Sequence, residues 1–337
     1  MSELSMSFAS GLYDRMLSLA TGEVKPAGID LNFIPIDNPR ELFDRMVGKL
    51  EFDASEMSSS EFVSRFAAGK GECPFVALPA FASRVFRHGF IAVDTRKIKS
   101  PKDLAGKRIG VQLYTMTAAI WIRGVLQDHY GVDLSHVEWV EGAMEAPTPH
   151  GKPTVLPPLK PIKIVPNQSG KSLSQLLADG EVAATICADL PSCFGKSAHV
   201  ERLFPDFRKT EMDYYKTTKI FPIMHLIVMR REFYEKHPFA ASSLYQALCE
   251  SKDRAFKRMR YLGTLRYMLP WMTAELDEIE AVFGGDPWPY GVEPNRPTLE
   301  ALVKYLVDQS LIAAPVKVDD LFVPVFEKTE TPKRLTG

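Results

Sequence analysis

The sequence predicts an α/β protein made of two units of alternating strand and helix. Two observations carry that reading. The opening third alternates short extended runs with helical patterns, as a sheet with crossover helices requires, and the same rhythm restarts near residue 100. With 337 residues, 45% of them hydrophobic and 25% charged, the chain also has the bulk for two domains.

In chain order, "LSMSFA" (4–9) reads as a strand, "YDRMLSLATG" (13–22) as helical, "IDLNFIPI" (29–36) as a strand and "PRELFDRMVGKL" (39–50) as a helix. Asn38 caps that helix and Pro39 takes its first position, where the missing N–H costs nothing. Ser58 and Glu61 in "SSSEF" (58–62) stand at capping-box spacing before another helix. The second unit begins at "SPKDLAGKRIGV" (100–111), where a capped turn leads through Gly106 to the strand "RIGVQL" and the helix "TAAIWIRGVLQDHYG" (117–131). "VEWVEG" (137–142) is the next strand. The six prolines of "APTPHGKPTVLPPLKP" (146–161) exclude a regular element and predict a long surface loop or flap. "SLSQLLADGEVAATICAD" (172–189) gives a helix, a glycine stop and a buried strand, and "FPIMHLIVMRREFYEKHP" (221–238) is strand-like to Met229 and helical after it. From 239 to about 310 the pattern is helical, broken by "GGDPWPYGVEPNRP" (284–297).

The charge balance, 41 basic against 42 acidic residues, supplies no global positive field for nucleic acid or an anionic membrane. Any anion recognition is therefore local. The four cysteines form no C-x-x-C pair, which fits a reduced, cytoplasmic setting. The start "MSELSMSFASGLYDRML" has no uninterrupted apolar segment, so export is not expected, and no run approaches the roughly 20 apolar residues of a membrane span.

Three strand-to-helix turns, "SGLYD" (10–14), "EMSSSE" (56–61) and "LYTMT" (113–117), have the form of ligand-binding turns in open α/β sheets, and equally of plain helix caps. "FASRVFRHG" (81–89) sets Arg84, Arg87 and His88 among phenylalanines and a valine. One such arginine commonly extends its head to water or pairs with a carboxylate. Two together point to a substrate with one or two carboxylates, which guanidiniums bind through paired hydrogen bonds. His88 is a proton carrier or a core residue. His225, inside "IMHLIV", is a structural histidine or a partly buried general acid. "DPWPYGVEPNRPTLEAL" (286–302) is a proline-bounded loop capped by Asn295 or Thr298, or an aromatic wall for a planar ligand. Metalloprotease, P-loop, G-x-S-x-G and dinucleotide motifs are absent, which disfavours a nucleotide enzyme.

Taken together, "SPKDLAGKRIGV", "LLADGEVAATICADLP" and "LIVMRREFYEKHPFAASSLYQAL" resemble the type II periplasmic-binding-protein fold, an α/β fold in which two lobes flank a ligand cleft. The resemblance implies a discontinuous first lobe (1–92 with 222–337), a second lobe (93–221) carrying the proline-rich loop 146–161, and hinges near 90–95 and 220–225. "FASRVFRHG", "FPIMHLIVMRREFYEKHP" and "DPWPYGVEPNRPTLEAL" are more particular. They resemble the 4,5-dihydroxyphthalate decarboxylase family, from about residue 5 to about 325, with the 146–161 insert departing from its pattern.

That resemblance implies a carboxy-lyase of bacterial phthalate degradation that releases carbon dioxide and protocatechuate. In the scheme it implies, Arg84 and Arg87, with Arg15, hold carboxylate; His88 or His225 supplies the proton; Ser58, Ser59 and Thr117 give hydroxyl or helix N-terminal contacts; and Phe81, Tyr114 and Trp288 stack on the ring. The substrate's own phenol serves as electron source, so no cofactor is required; a divalent metal on the catechol oxygens is compatible with the scheme, though no ligand cluster demands it. The expected partner is a small aromatic dicarboxylate, and a homo-oligomer is allowed. The main alternative is a non-catalytic solute-binding protein for an aromatic carboxylate using the same cleft. Pyrimidine synthesis in thiamine formation is a more distant one, because its histidine and cysteine motifs are not evident.

Overall fold

Two sheets divide the chain, and the polypeptide passes from the first to the second and back. The computed structural model describes residues 3–69, 73–151 and 155–326. Parts of the proline-rich loop (152–154) and of the C-terminal tail (327–337) lie outside the described residues.

The first sheet starts with β1 (Leu4–Ser10), parallel to β2 (Ile29–Pro35) and to β3 (Ala54–Ser58). Between them run α1 (Leu17–Ala20), preceded by a 3-10 turn at Asp14–Met16, and α2 (Pro39–Lys49). The Asn38 side chain accepts from the N–H groups of Arg40 and Glu41, Leu50 closes α2 in the left-handed conformation, and Leu42, Phe43 and Met46 face inward. After α3 (Ser59–Ala68), β4 (Phe75–Arg84) forms the sheet edge.

The chain then crosses over through residues 85–90 into the second sheet. Its elements are β5 (Ile91–Asp94), β6 (Arg108–Val111), α4 (Thr117–Tyr130), β7 (Glu138–Glu141), β8 (Ile164–Pro166), α5 (Leu173–Ala178), β9 (Ala184–Ile186) and β10 (Val200–Arg202). The strand order is β10-β5-β9-β6-β7-β8, with β6, β7, β8 and β9 parallel and β5 antiparallel to both its neighbours. The described residues of 146–161 contain neither helix nor strand.

α6 (Phe207–Thr218) lies on the return path, and β11 (Ile223–Arg230) then inserts into the first sheet, antiparallel to β3 and β4, completing the order β2-β1-β3-β11-β4. The crossovers therefore fall at 85–90 and 203–222, and Ile91–Asp94 is already strand in the second sheet. α7 (Arg231–Lys236), α8 (Phe239–Met259), α9 (Met272–Phe283) and α10 (Arg296–Asp308) follow. The helical pattern from 239 is broken once more than its periodicity suggests, at 260–271, where Gly263 and Pro270 oppose a helix.

α4 is buried around its whole circumference from Thr117 to Leu126. A Cβ at Gly124 would lie 2.2 Å from the Tyr305 ring, so glycine is what lets α10 approach this closely. The Trp121 Nε1–H donates to the Ile223 carbonyl at 3.0 Å, tying α4 to the first strand residue of the return segment. No helix among the described residues is long and apolar enough to cross a membrane.

Candidate active site between the sheets

Ligands of open α/β sheets sit beyond the carboxyl ends of the strands. Here the ends of β1, β3, β4, β6 and β9 meet the beginning of β11, which reaches the same edge because it runs antiparallel. Hydrogen bonds between Ser58 and Thr117, and between Arg87 and the Ala188 carbonyl, cross from one sheet to the other.

Glu56 is the centre of the first-sheet side. It stands two residues before Ser58, so both project from one face of β3, and His225 is in register with Ser58 on β11. The imidazole reaches Glu56 diagonally, with Nδ1 2.5 Å from Oε1. Tyr13 Oη donates to the same oxygen at 2.9 Å, while Ser10 Oγ and the Gly11 N–H donate to Oε2 at 2.8 and 3.2 Å. Burial alone would raise the Glu56 pKa, but His225, Ser10 and Gly11 together outweigh it and hold the carboxyl below its usual range. Burial and then Glu56 push the Tyr13 phenol well up, so Tyr13 stays a donor. An ionised Glu56 fixes the proton on His225 Nδ1 and leaves Nε2 without a protein partner among the described residues. The His225 side chain is 17% exposed, against 1% for Glu56, so a small molecule can reach the ring.

Beside this pair, three hydroxyls close a triangle: Thr117 Oγ1 lies 2.8 Å from Ser58 Oγ and 2.7 Å from Ser60 Oγ, with 3.2 Å between the serines. They mark the N-termini of α3 and α4, where the unpaired N–H groups favour negative charge. Ser59 is turned away and donates to the Ile223 carbonyl.

The arginines have different settings. Arg84 is buried, with hydrogen bonds to Asn295 and to the Phe221 and Pro289 carbonyls, and it braces the 286–295 loop against β4. Arg87 donates to the Ala188 carbonyl at 2.9 Å and contacts Met224 Sδ at 3.3 Å. Neither makes a salt bridge among the described residues; burial lowers their pKa values to about 9 and about 10, leaving both charged at neutral pH. Arg15 lies between the Tyr13 and Trp288 rings, 4.2 and 4.6 Å from their centroids, and donates to the Ala82 carbonyl.

His88 is packed edge-on against Tyr130, Phe204 and Tyr214, and both ring nitrogens lack a hydrogen bond among the described residues. Burial lowers its pKa to about 4. Phe81 is fully buried against Tyr290 and Phe322, and Tyr114 is buried under the Arg123 guanidinium. Trp288 is partly exposed and donates through Nε1 to the Phe81 carbonyl. The structure thus gathers His225, Ser58, Thr117 and Arg87 at the sheet junction, sets Arg15 and Trp288 to one side, and places Phe81, Tyr114 and His88 in cores. Glu56, Tyr13, Ser10 and Ser60 join the site from the candidate turns "SGLYD" and "EMSSSE", though none of the four had been given a role of its own; for Glu56 the available signal was the strand parity it shares with Ser58.

His150 of the proline-rich loop is half-buried, and burial followed by the Arg40 charge lowers its pKa, with Asp189 opposing. Among the described residues no group of three or more His, Cys, Asp or Glu side chains is arranged to hold a metal.

A family model described as NMT1/THI5 like matches residues 25–152. A 4,5-dihydroxyphthalate decarboxylase of Comamonas testosteroni is 36% identical over 326 residues, covering 96% of this chain and 98% of its own. One from Pseudomonas putida is 36% identical over 218 residues, 64% of this chain and 83% of its own. Among solved structures, a Bordetella bronchiseptica RB50 protein superposes with a TM-score of 0.52 at 18% identity, covering 96% and 95% of the two chains. The periplasmic sulfonate-binding protein SsuA of Methylobacillus flagellatus KT gives 0.50 at 14%, covering 96% and 92%. These two share the two-lobe architecture.

Proposed function

The chain belongs to the 4,5-dihydroxyphthalate decarboxylase family, and from that premise we propose that its cleft converts 4,5-dihydroxyphthalate to protocatechuate and carbon dioxide. The observation that carries this reading is the Glu56–His225 pair beside the Ser58, Ser60 and Thr117 hydroxyls. It offers a held proton donor next to an anion-binding corner.

Each carboxylate of the substrate is para to a ring hydroxyl. Electron density from the polarised phenol passes through the ring to the carbon bearing the departing carboxylate, and that carbon takes a proton from His225 Nε2. The ring–carboxylate bond then breaks, its electron pair restores aromaticity, and carbon dioxide leaves. One proton is consumed per turnover and His225 recovers it from water. Glu56 positions the imidazole through Nδ1 and balances its charge when both nitrogens are protonated.

The retained carboxylate is assigned to the hydroxyl triangle and the N-termini of α3 and α4, with Arg87 as its charged partner. A buried guanidinium without a carboxylate partner is what an anionic substrate would neutralise. Arg15 and Trp288 stand to one side of the cleft and are given no part in holding the substrate, while Arg84 and Ser59 shape it. The proton-donor role goes to His225 rather than His88, whose ring has no hydrogen-bond partner among the described residues and is only 3% exposed.

We place this activity in bacterial phthalate degradation, in the cytoplasm, and in a homo-oligomer. The four cysteines, none of them in a C-x-x-C pair, fit a reducing compartment, and Leu262, Leu265, Leu269 and Trp271, all exposed on the α8–α9 connection, provide a face for self-association.

The test is incubation of the purified protein with 4,5-dihydroxyphthalate, 4-hydroxyphthalate and phthalate, with and without added divalent metal. Equal molar release of carbon dioxide and protocatechuate, with phthalate inert because it has no para hydroxyl, supports the reading. Tight binding of dihydroxyphthalate without turnover in any arm would make the cleft a binding site only.

A further inference from the structure

A cavity of about 400 Å³ lies away from the hydroxyl triangle, enclosed by α6, α8 and α9 and by both crossovers between the sheets. Its walls are aromatic: Phe86 from the outgoing crossover, Phe221 from the returning one, Phe207, Phe256, Phe283 and Trp288. Phe86 and Phe221 stack at 4.4 Å with 19° between their planes. The volume is in the range of small-molecule sites.

The charges at its rim are already spent on one another. Arg15 pairs with Asp14 at 3.1 Å, Arg208 with Glu275 at 2.5 Å, and Lys252 with Asp286. Glu211, the remaining acid, accepts the Gly89 N–H at 3.1 Å. Burial raises its pKa to about 7, so near neutrality it does not impose a full charge. A dianion such as dihydroxyphthalate would lose its hydration here without gaining an unpaired cation.

We propose that this cavity is a second ligand site, distinct from the reaction cleft, and that it takes an uncharged aromatic molecule the size of two fused rings. The six aromatic side chains supply offset and edge contacts to such a ring system. The mutual pairing of the rim charges disfavours an anion or cation of the same shape. The inference does not depend on which reaction the cleft performs, because it is read by binding alone.

The experiment is calorimetric titration of the full chain with 2-naphthol, with 2-naphthoate and dodecanoate as anionic and acyl-chain comparisons. Ala255→Leu and Ile279→Phe fill the cavity from α8 and α9, and both are checked for unchanged thermal midpoint. The expected result is one 2-naphthol per chain, affinity at least tenfold weaker in whichever variants keep the wild-type midpoint, and no competition by saturating 4,5-dihydroxyphthalate. Absence of 2-naphthol binding, or unchanged affinity in a folded variant, would overturn the site. Binding of 2-naphthoate or dodecanoate as tight as that of 2-naphthol would overturn the ligand class, and competition by dihydroxyphthalate would overturn its separation from the cleft. So would sedimentation showing that 2-naphthol dissociates an oligomer, since the cavity would then be filled by the α8–α9 connection of a second copy.

Discussion

Glu56 and His225 are 169 positions apart in the chain and 2.5 Å apart in the fold. β11 makes this contact by returning from the second sheet to lie against β3 with His225 in register with Ser58. His225→Asn is expected to lower kcat by roughly 10²-fold or more, the scale of a lost general acid, with the dissociation constant for protocatechuate changed less than threefold. Glu56→Gln is expected to lower kcat with a smaller change in KM, and to alter the pH profile of kcat. A Glu56 variant that shifted only the thermal midpoint would reduce the residue to a structural one.

Arg87 and Arg84 are expected to separate in their effects. Arg87→Met should raise KM about tenfold to a hundredfold, the scale of a lost charge-assisted contact, with modest change in stability. Arg84→Met removes the donors to Asn295 and to the Phe221 and Pro289 carbonyls, and should lower stability by roughly 2–4 kcal/mol. Steady-state kinetics and denaturant titration on the two proteins, with the reverse pattern, would contradict this division.

Thr117→Val keeps the shape of the side chain and removes the hydroxyl shared by Ser58 and Ser60. If the triangle holds the retained carboxylate, KM for dihydroxyphthalate should rise about tenfold, a change matching the loss of one hydrogen bond to a charged group. An unchanged KM in a protein with wild-type circular dichroism would remove the triangle from the binding site.

His88 and Glu211 should pull stability in opposite directions with pH. The His88 pKa falls from 6.5 to about 4 on folding, so the unfolded chain binds the extra proton between those values. Its contribution is complete above 6.5 and is lost as pH falls toward 4, on the order of 3 kcal/mol. Glu211 rises from 4.5 to about 7, so there the native state binds more protons and stability declines as pH rises through that window. Urea titrations across pH 4.5–6.5 should therefore show stability falling with rising pH in His88→Phe and rising with pH in Glu211→Gln. Parallel slopes in the two variants would contradict the assignment.

Local signals in the sequence located most of the elements. Asn38 and Pro39 announce α2, and the Gly180 stop separates α5 from β9. β4 escaped because "FVALPAFASR" is buried on both faces and contains a proline, which leaves no alternation to read. β8 and β10 are three residues each, too short for periodicity to register. The break at 260–271 was hidden by apolar residues that continue a helical pattern while standing in solvent. In the site, Ser58, Thr117 and His225 were legible as a cap, a turn and a polar residue in an apolar strand. Glu56 was legible only as the first residue of the turn "EMSSSE", because its partners Ser10, Tyr13 and His225 are 46, 43 and 169 residues distant. His88, adjacent in sequence to Arg87, faces a different environment because the 3-10 turn at His88–Phe90 carries it under α6.

The most direct measurement is the release of carbon dioxide and protocatechuate from 4,5-dihydroxyphthalate by the wild-type protein and by His225→Asn under identical conditions. The account predicts equal molar products from the wild type and a rate lower by about 10²-fold or more in a variant that still binds protocatechuate. Equal rates for the two proteins, or no turnover by a wild type that binds its substrate tightly, would contradict it.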